Sequence, residues 1–284
     1  MDGIVVAKSF NQFMVLAEKR TFRCQMPKTL RNKLVAWPGD FVNFNKNSQM
    51  IEEVFPRTKL LARPRIANLE QLFIVMSIEE PLFSWPLVYR YLSYAKFNDI
   101  KPLLVISKVD KMLENLEPSF EVQLRHLNIP VFYTSKYKND SLDRLKDYLS
   151  GKISAFAGQS GVGKSSLINE ICPDYKQTIG TYSKALGRGR HETKGVTLFP
   201  FEDGFIADTP GFSSLELEFG KRDLAMAFPG FEQLALGCKF PHCLHQNEAG
   251  CLVIRHVKDG KIPLEAYHAY LELLAPLPHR KESY

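Results

Sequence analysis

Long apolar runs are missing from this sequence. No stretch approaches the roughly 20 residues that cross a bilayer as a helix, so a membrane protein is not expected. The opening Met1-Asp2-Gly3-Ile4-Val5-Val6 lacks the basic stretch ahead of an apolar core that marks a secretion signal. A cytoplasmic protein is the expectation. Cysteine is scarce, five residues in 284, and three of the five fall close together. In a cytosolic chain that grouping favours a metal over disulfides. Acidic residues are scarce at the front: residues 1–63 hold five acids against eleven Lys or Arg. The rest of the chain has 26 of each, so the net charge of +6 sits in that first segment. A small basic module on a neutral body suggests a polyanion partner. A solvated basic surface is the plainer alternative.

What is present reads as three modules. The first, residues 1–63, alternates in short strand-like runs at 3–8, 12–17, 21–24, 40–45 and 49–54, separated by turn signals such as Pro38-Gly39-Asp40. Five short strands in a basic segment suggest an OB-fold β-barrel, although an SH3-like barrel would give much the same string. Residues 64–219 switch to an α/β rhythm. Apolar runs at 72–78, 102–107, 131–134 and 153–157 read as buried parallel strands. Helices are expected at 87–97, 118–127, 142–149 and 164–171, and strands again at 196–201 and 205–207. Such a doubly wound sheet places ligand chemistry at the strands' carboxyl ends. Residues 220–284 leave that rhythm for a cysteine-rich knot and a last helix at 264–274. Its Leu264, Tyr267, Leu271 and Leu274 are expected to form a docking stripe.

Residues 158–165, Gly158-Gln159-Ser160-Gly161-Val162-Gly163-Lys164-Ser165, are a full G-x-x-x-x-G-K-[ST] phosphate loop, between an apparent strand and a helix. Its glycines let backbone N–H groups turn inward around phosphate oxygens, and the helix N-terminus adds its positive end. Lys164 is expected on the β and γ phosphates, and Ser165, with Ser166 beside it, near Mg²⁺. Asp208-Thr209-Pro210-Gly211 ends a strand, as the element that senses a γ-phosphate should. Asp208 would hold the metal's water shell and the Gly211 amide would meet the phosphate. The next residue, Phe212, cannot orient an attacking water as a glutamine would.

Ser107-Lys108-Val109-Asp110 matches [Asn/Thr]-Lys-x-Asp apart from its first residue. Its aspartate would accept both N–H donors on the edge of guanine, a pair that adenine does not offer. Lys108 would pack over the base, and Ser107 is expected to tether the phosphate loop less firmly than Asn. Thr134 and Ser135, within Tyr133-Thr134-Ser135-Lys136, follow one βα unit later as a second base-contacting loop. This base reader precedes the phosphate loop, whereas an ordinary GTPase has it last. The motifs are therefore in circularly permuted order.

Within Gly187-Arg188-Gly189-Arg190-His191-Glu192-Thr193, His191 could orient or deprotonate water, or could be one more contact to RNA. The stretch from 176 to 194 carries five basic residues against one acid. It reads as a mobile loop. Cys238-x4-Cys243-x-His245-x5-Cys251 supplies three thiolates and an imidazole, the donor set of a closed structural zinc site. His242 is a competing ligand, although as neighbour to Cys243 it is poorly placed to share one metal.

Together these residues resemble the RsgA family of circularly permuted ribosome-biogenesis GTPases, and the resemblance covers nearly the whole chain. It rests on a barrel ending in Phe55-Pro56-Arg57 and Arg63-Pro64, the permuted motif order, Gly-Arg-Gly-Arg-His, Asp-Thr-Pro-Gly-Phe and the cysteine knot. It implies an OB-fold at 1–63, a permuted GTPase domain at 64–219 and a zinc-binding domain at 220–284. It also implies GTP/GDP with Mg²⁺ and one structural Zn²⁺. The implied partners are the small ribosomal subunit, its rRNA and assembly factors, for a chain acting as a monomer. Departures are Ser107 and Glu192-Thr193-Lys194, where the family has a threonine run; Thr193 is left as the switch contact for Mg²⁺. Two other classes remain open on the residues alone. A P-loop metabolic kinase would tolerate ATP, and an RNA-binding GTP sensor would show little turnover.

Overall fold

A computed structural model describes residues 1–111, 118–135, 142–186, 195–209, 212, 215 and 217–278. The chain divides into two compact units: Met1–Phe73 with Ser141–Gly158 and Gly163–Ser214, and Ile74–Asp140 with Gln159–Val162 and Leu215–Tyr284.

The first unit opens with the barrel: β1 (Asp2–Ser9), β2 (Gln12–Ala17), β3 (Arg20–Gln25), a single turn α1 (Lys28–Arg31), β4 (Phe41–Asn45) and β5 (Met50–Val54). β1 pairs with both β2 and β4, β2 with β3, β4 with β5, and β3 closes the ring by a parallel contact with β5. Closure removes free edges, and this order is that of an OB-like barrel. Alternation drives it: Val5, Phe13, Val15, Val42, Phe44 and Ile51 are fully buried inside, while Lys19, Arg20 and Arg23 face outward. The one buried carboxylate, Asp40, accepts from Trp37 N–H at 2.8 Å and pairs with Arg57 at 3.0 Å. Burial pushes its pKa up to about 6, against the pull of that N–H and the guanidinium.

The same unit holds α4 (Leu142–Leu149), β9 (Ile153–Ala157), α5 (Lys164–Ile171), α6 (Tyr175–Ala185), β10 (Thr197–Phe201) and β11 (Gly204–Asp208). β11 runs parallel to β9 and antiparallel to β10, and β10 touches β1 through Thr197 and Ala7. All five residues of β9 are buried, as a central strand requires. The expected mobile loop begins as a helix instead. α6 presents buried Tyr175, Tyr182 and Leu186 on one face, and that packing outweighs its weak helix formers Thr178, Gly180 and Thr181.

β6 (Gln71–Ser77) straddles the division. The second unit continues with α2 (Trp85–Phe97), β7 (Lys101–Ser107), a 3-10 turn at Val109–Lys111, α3 (Pro118–Leu127) and β8 (Val131–Thr134). β7 and β8 are parallel, with Ser107 opposite Thr134. Four helices follow: α7 (Lys221–Ala227), α8 (Glu232–Leu236), α9 (Leu252–Lys258) and α10 (Leu264–Leu274). α10 packs on α2, and of the expected stripe only Leu274 is fully buried. Ala266, Ala269, Tyr270, Leu273 and Leu274 are buried, whereas Leu264 is 54% exposed and Tyr267 and Leu271 are partly exposed. This helix is apolar on several sides, so periodicity could not choose its face.

Among the described residues no helix is long and apolar enough to cross a membrane.

Candidate nucleotide site and metal centre

The phosphate loop leaves β9 and enters α5. Gly158, Gly161 and Gly163 have φ of 138°, 85° and 95°, where a side chain would be strained. Lys164 opens α5 and folds back, donating to the Gly158 carbonyl at 2.6 Å. Burial holds its pKa below the usual lysine range. Ser165 and Ser166 are exposed on the first turn, and Gln159 and Ser160 lie on the outer loop. The Gly158 N–H donates to the carbonyl of Phe212 at 3.3 Å, and the Phe212 ring is fully buried.

Asp208 ends β11, whose Ala207 pairs with Ala155 of β9, so both strands point their carboxyl ends the same way. Burial raises the Asp208 pKa, and a hydrogen bond from the Tyr175 hydroxyl lowers it. Tyr175 sits edge-on to Phe199, with ring centroids 4.6 Å apart. The adjacent Thr209 hydroxyl is buried without a hydrogen-bond partner. Asp208 and the exposed Ser165 carry oxygen donors of the kind a hard cation such as Mg²⁺ takes.

In the second unit the turn expected to read the base and the outer phosphate loop meet. The Ser107 hydroxyl donates to the Val162 carbonyl at 2.6 Å and lies 3.3 Å from the Met76 carbonyl. The serine tethers this loop through a single hydroxyl bond. Thr134 and Ser135 are buried beside Ser107 through the β7–β8 register. Asp110 is exposed on the 3-10 turn, next to half-buried Val109 and Lys108. The Lys108 ammonium donates to the carbonyls of Glu79 and Glu80, backbone partners that no sequence motif announces.

Cys238, Cys243, His245 and Cys251 place their donor atoms within 4.8 Å of one another. Cys238 Sγ lies 3.9 Å from Cys251 Sγ and 3.7 Å from His245 Nδ1, and His245 Nδ1 lies 3.4 Å from Cys251 Sγ. A tetrahedral zinc with Zn–S near 2.3 Å would separate two sulfurs by about 3.8 Å, so the cage has the right size. Burial pushes Cys243 up to about 12 and raises Cys251, so as bare thiols they resist ionising; a bound dication would reverse that. Burial also lowers the His245 pKa, favouring the neutral imidazole a metal needs. His242 is exposed and outside the cluster. Around the cage, Tyr270 Oη donates to Leu244 O at 2.6 Å and Tyr267 Oη to His245 O at 2.7 Å. Glu248 accepts from the N–H groups of Leu244, Gln246 and Asn247 at 2.7, 2.8 and 3.1 Å. Sequence reading missed these supports, since tyrosines on an apolar helix look like core.

His191, Thr193 and Gly211 lie outside the described residues, as do Lys136 and Pro210. A separate cavity of about 430 Å³, bordered by Lys96, Pro102, His126 and Glu232, includes none of the expected site residues.

A phosphate loop that follows its base-reading turn in sequence yet is bonded to it in space defines a circularly permuted GTPase. Comparison with known proteins places it further: the RsgA GTPase family model matches residues 54–218, and this chain belongs to that family. It is 37% identical over 291 residues to the small ribosomal subunit biogenesis GTPase RsgA of Geobacillus sp. (strain WCH70), covering 100% of this chain and 99% of that protein. A Listeria monocytogenes relative, RsgA 1, is 36% identical with 100% of both covered. Among solved structures, YloQ, titled a circularly permuted GTPase, matches with TM-score 0.80 and 32% identity over 100% of this chain and 96% of its own. YjeQ from Thermotoga maritima matches with TM-score 0.81 and 30% identity over 99% of each. The fold is thus a permuted P-loop GTPase with an OB-like barrel and a Cys3His cluster that could bind zinc.

Proposed function

We propose that this GTPase acts in small ribosomal subunit biogenesis, binding the subunit late in its assembly and hydrolysing GTP there to complete maturation and release assembly factors. It works in the cytoplasm as a monomer, with its basic barrel, residues 1–63, against rRNA. The observation that carries the reading is the 2.6 Å bond from Ser107 to Val162, which joins base reader and phosphate loop across the permuted order.

Asp110 reads the guanine edge, Lys108 covers the base, and Ser107, Thr134 and Ser135 hold the turns that present them. Residues 158–166 wrap the phosphates with backbone N–H groups, and Lys164 leaves the Gly158 carbonyl for the β and γ oxygens. Ser165 and Asp208, with Thr193, would hold Mg²⁺, which would supply positive charge against the negative charge developing on the phosphates. Gly211 senses the γ-phosphate. Phe212, buried where a water-orienting side chain would stand, supports slow turnover by the chain alone. His191 or a group on the subunit then completes the water site. A zinc ion held by Cys238, Cys243, His245 and Cys251 has no open position and is structural.

GTP turnover measured across a titration of purified small subunits tests the reading. A rate that rises and saturates with subunit supports it. A flat rate, or equal use of ATP, sinks it.

A further inference from the structure

The connection from β6 to α2 carries an arrangement that core packing does not explain. Glu80 and Lys108 both adopt left-handed backbone, with φ of 51° and 58°, and they touch. Side chains of this bulk resist that region, so something outside their own conformational preference holds both. Burial is not the cause, because Glu80 and Leu82 are exposed, Leu82 by 77%. Interactions centred on the base-reading turn hold them instead. Ile78 N–H donates to Ser107 O at 3.1 Å, and Lys108 Nζ donates to the carbonyls of Glu79 (3.4 Å) and Glu80. The Ser77 hydroxyl donates to the Glu79 carbonyl, and Lys111 Nζ lies 2.7 Å from Glu80 Oε2. On its other side the connection meets the phosphate loop, where a Cβ on Gly161 would lie 3.7 Å from Pro81 Cδ.

We propose that residues 79–82 form a clasp that sets the Lys108 side chain before nucleotide arrives, making Glu80 and Lys111 positioning residues for guanine-nucleotide binding. With its ammonium fixed on two carbonyls, the four-carbon stem of Lys108 is held in place as a wall for the base. The ordering entropy of that stem is then lost on folding, not on binding. The clasp acts on the base side, so it serves GDP and GTP alike. The proposal rests on the base-reading role of residues 107–110.

The test uses the full chain and fluorescent GDP and GTP, followed by stopped flow. Replacing the clasp (Glu79→Gly, Glu80→Ser, Pro81→Gly and Leu82→Gly together) should weaken both nucleotides equally, about three- to tenfold, mainly through faster release. Lys108→Met should show a comparable loss, and adding the clasp replacement to it should cost nothing more. Unchanged affinity, a loss confined to GTP, or losses that multiply would overturn the proposal. Should the clasp replacement fail to fold, Lys111→Met decides: a smaller loss for both nucleotides supports the clasp, and none overturns it. Asp110→Asn tests the underlying reading separately, through a switch of preference from guanosine to xanthosine nucleotides.

Discussion

The barrel at the front of the chain and the Cys3His module at its end are stabilised in different ways. The barrel closes its hydrogen-bond ladder on itself and fills the inside with apolar side chains. Little else is needed to hold it, since closure and core burial reinforce each other. Among its described residues the module has no strand, and its buried centre is a small aromatic cluster of Phe228, Phe231 and Tyr270 with His245 at its edge. α8 buries no residue, α7 to α9 are five to seven residues long, and the loop between α8 and α9 is pinned by thiols, an imidazole, tyrosine hydroxyls and one carboxylate. Helices this short are marginal alone. The barrel is therefore expected to stand on closure and core burial, whereas the module is expected to depend on what its Cys3His cluster holds.

The sharpest way to break that contrast is metal removal. Chelation under reducing conditions, or Cys243→Ser with Cys251→Ser, should abolish exchange protection across residues 238–258 and remove bound zinc, since such sites supply on the order of 10 kcal/mol to folding. Protection in β1 to β5 should not change. Hydrogen exchange read by mass spectrometry checks both halves; protection surviving at 238–258 would dissolve the distinction. The converse variant is Phe44→Ala, which empties a fully buried site beside Phe22. It should cost the barrel about 3–5 kcal/mol in denaturant unfolding while zinc content stays unchanged.

How legible each region was in the sequence follows the same contrast. The barrel strands were readable to within one or two residues because short apolar runs between turn signals are local, even where β1 and β2 bury consecutive residues and break strict alternation. The buried strands, α3, α4 and α5 were equally plain, and the phosphate loop and cysteine spacing announced themselves. α7 to α9 left no pattern, being too short for a helical period to show. The buried face of α10 was misread because Leu264, Tyr267 and Leu271 compete with Ala266, Tyr270 and Leu273 on one helix. Glu79 and Glu80 act on Lys108 through backbone carbonyls, which carry no residue signature. Tyr175 beside Asp208 was invisible for another reason: the pair lies 33 positions apart and meets only through the packing of α6 on β10.

A smaller effect sharpens the account of the module. Tyr270→Phe removes only the hydroxyl that donates to Leu244 O at 2.6 Å and leaves the ring against Phe228 and Phe231. The half-buried Leu244 carbonyl loses its donor, so the cost should be about 1 kcal/mol. Zinc should also leave faster, by competition with a chromogenic chelator, because the loop carrying Cys243 and His245 loses a support. An unchanged release rate would show that the ligands alone fix that loop.

The least of the effects concerns the barrel's one buried carboxylate. Burial raises Asp40 to about 6, so the folded chain holds this proton more tightly than the unfolded chain, whose aspartate titrates near 3.8. The stabilisation from that proton is fully present below the unfolded value and is lost as pH rises through the folded one. Melting temperature should therefore carry a component that falls between about pH 4 and 6. Asp40→Asn keeps an acceptor for the Trp37 N–H and has no proton to lose, so that component should be absent from the variant and stand alone in the difference between parent and variant. Above pH 7 the two curves should run parallel. If the difference is flat across the acid range, Arg57, 3.0 Å away, already neutralises the carboxylate in the fold, and the pair acts as a salt bridge from pH 4 upward.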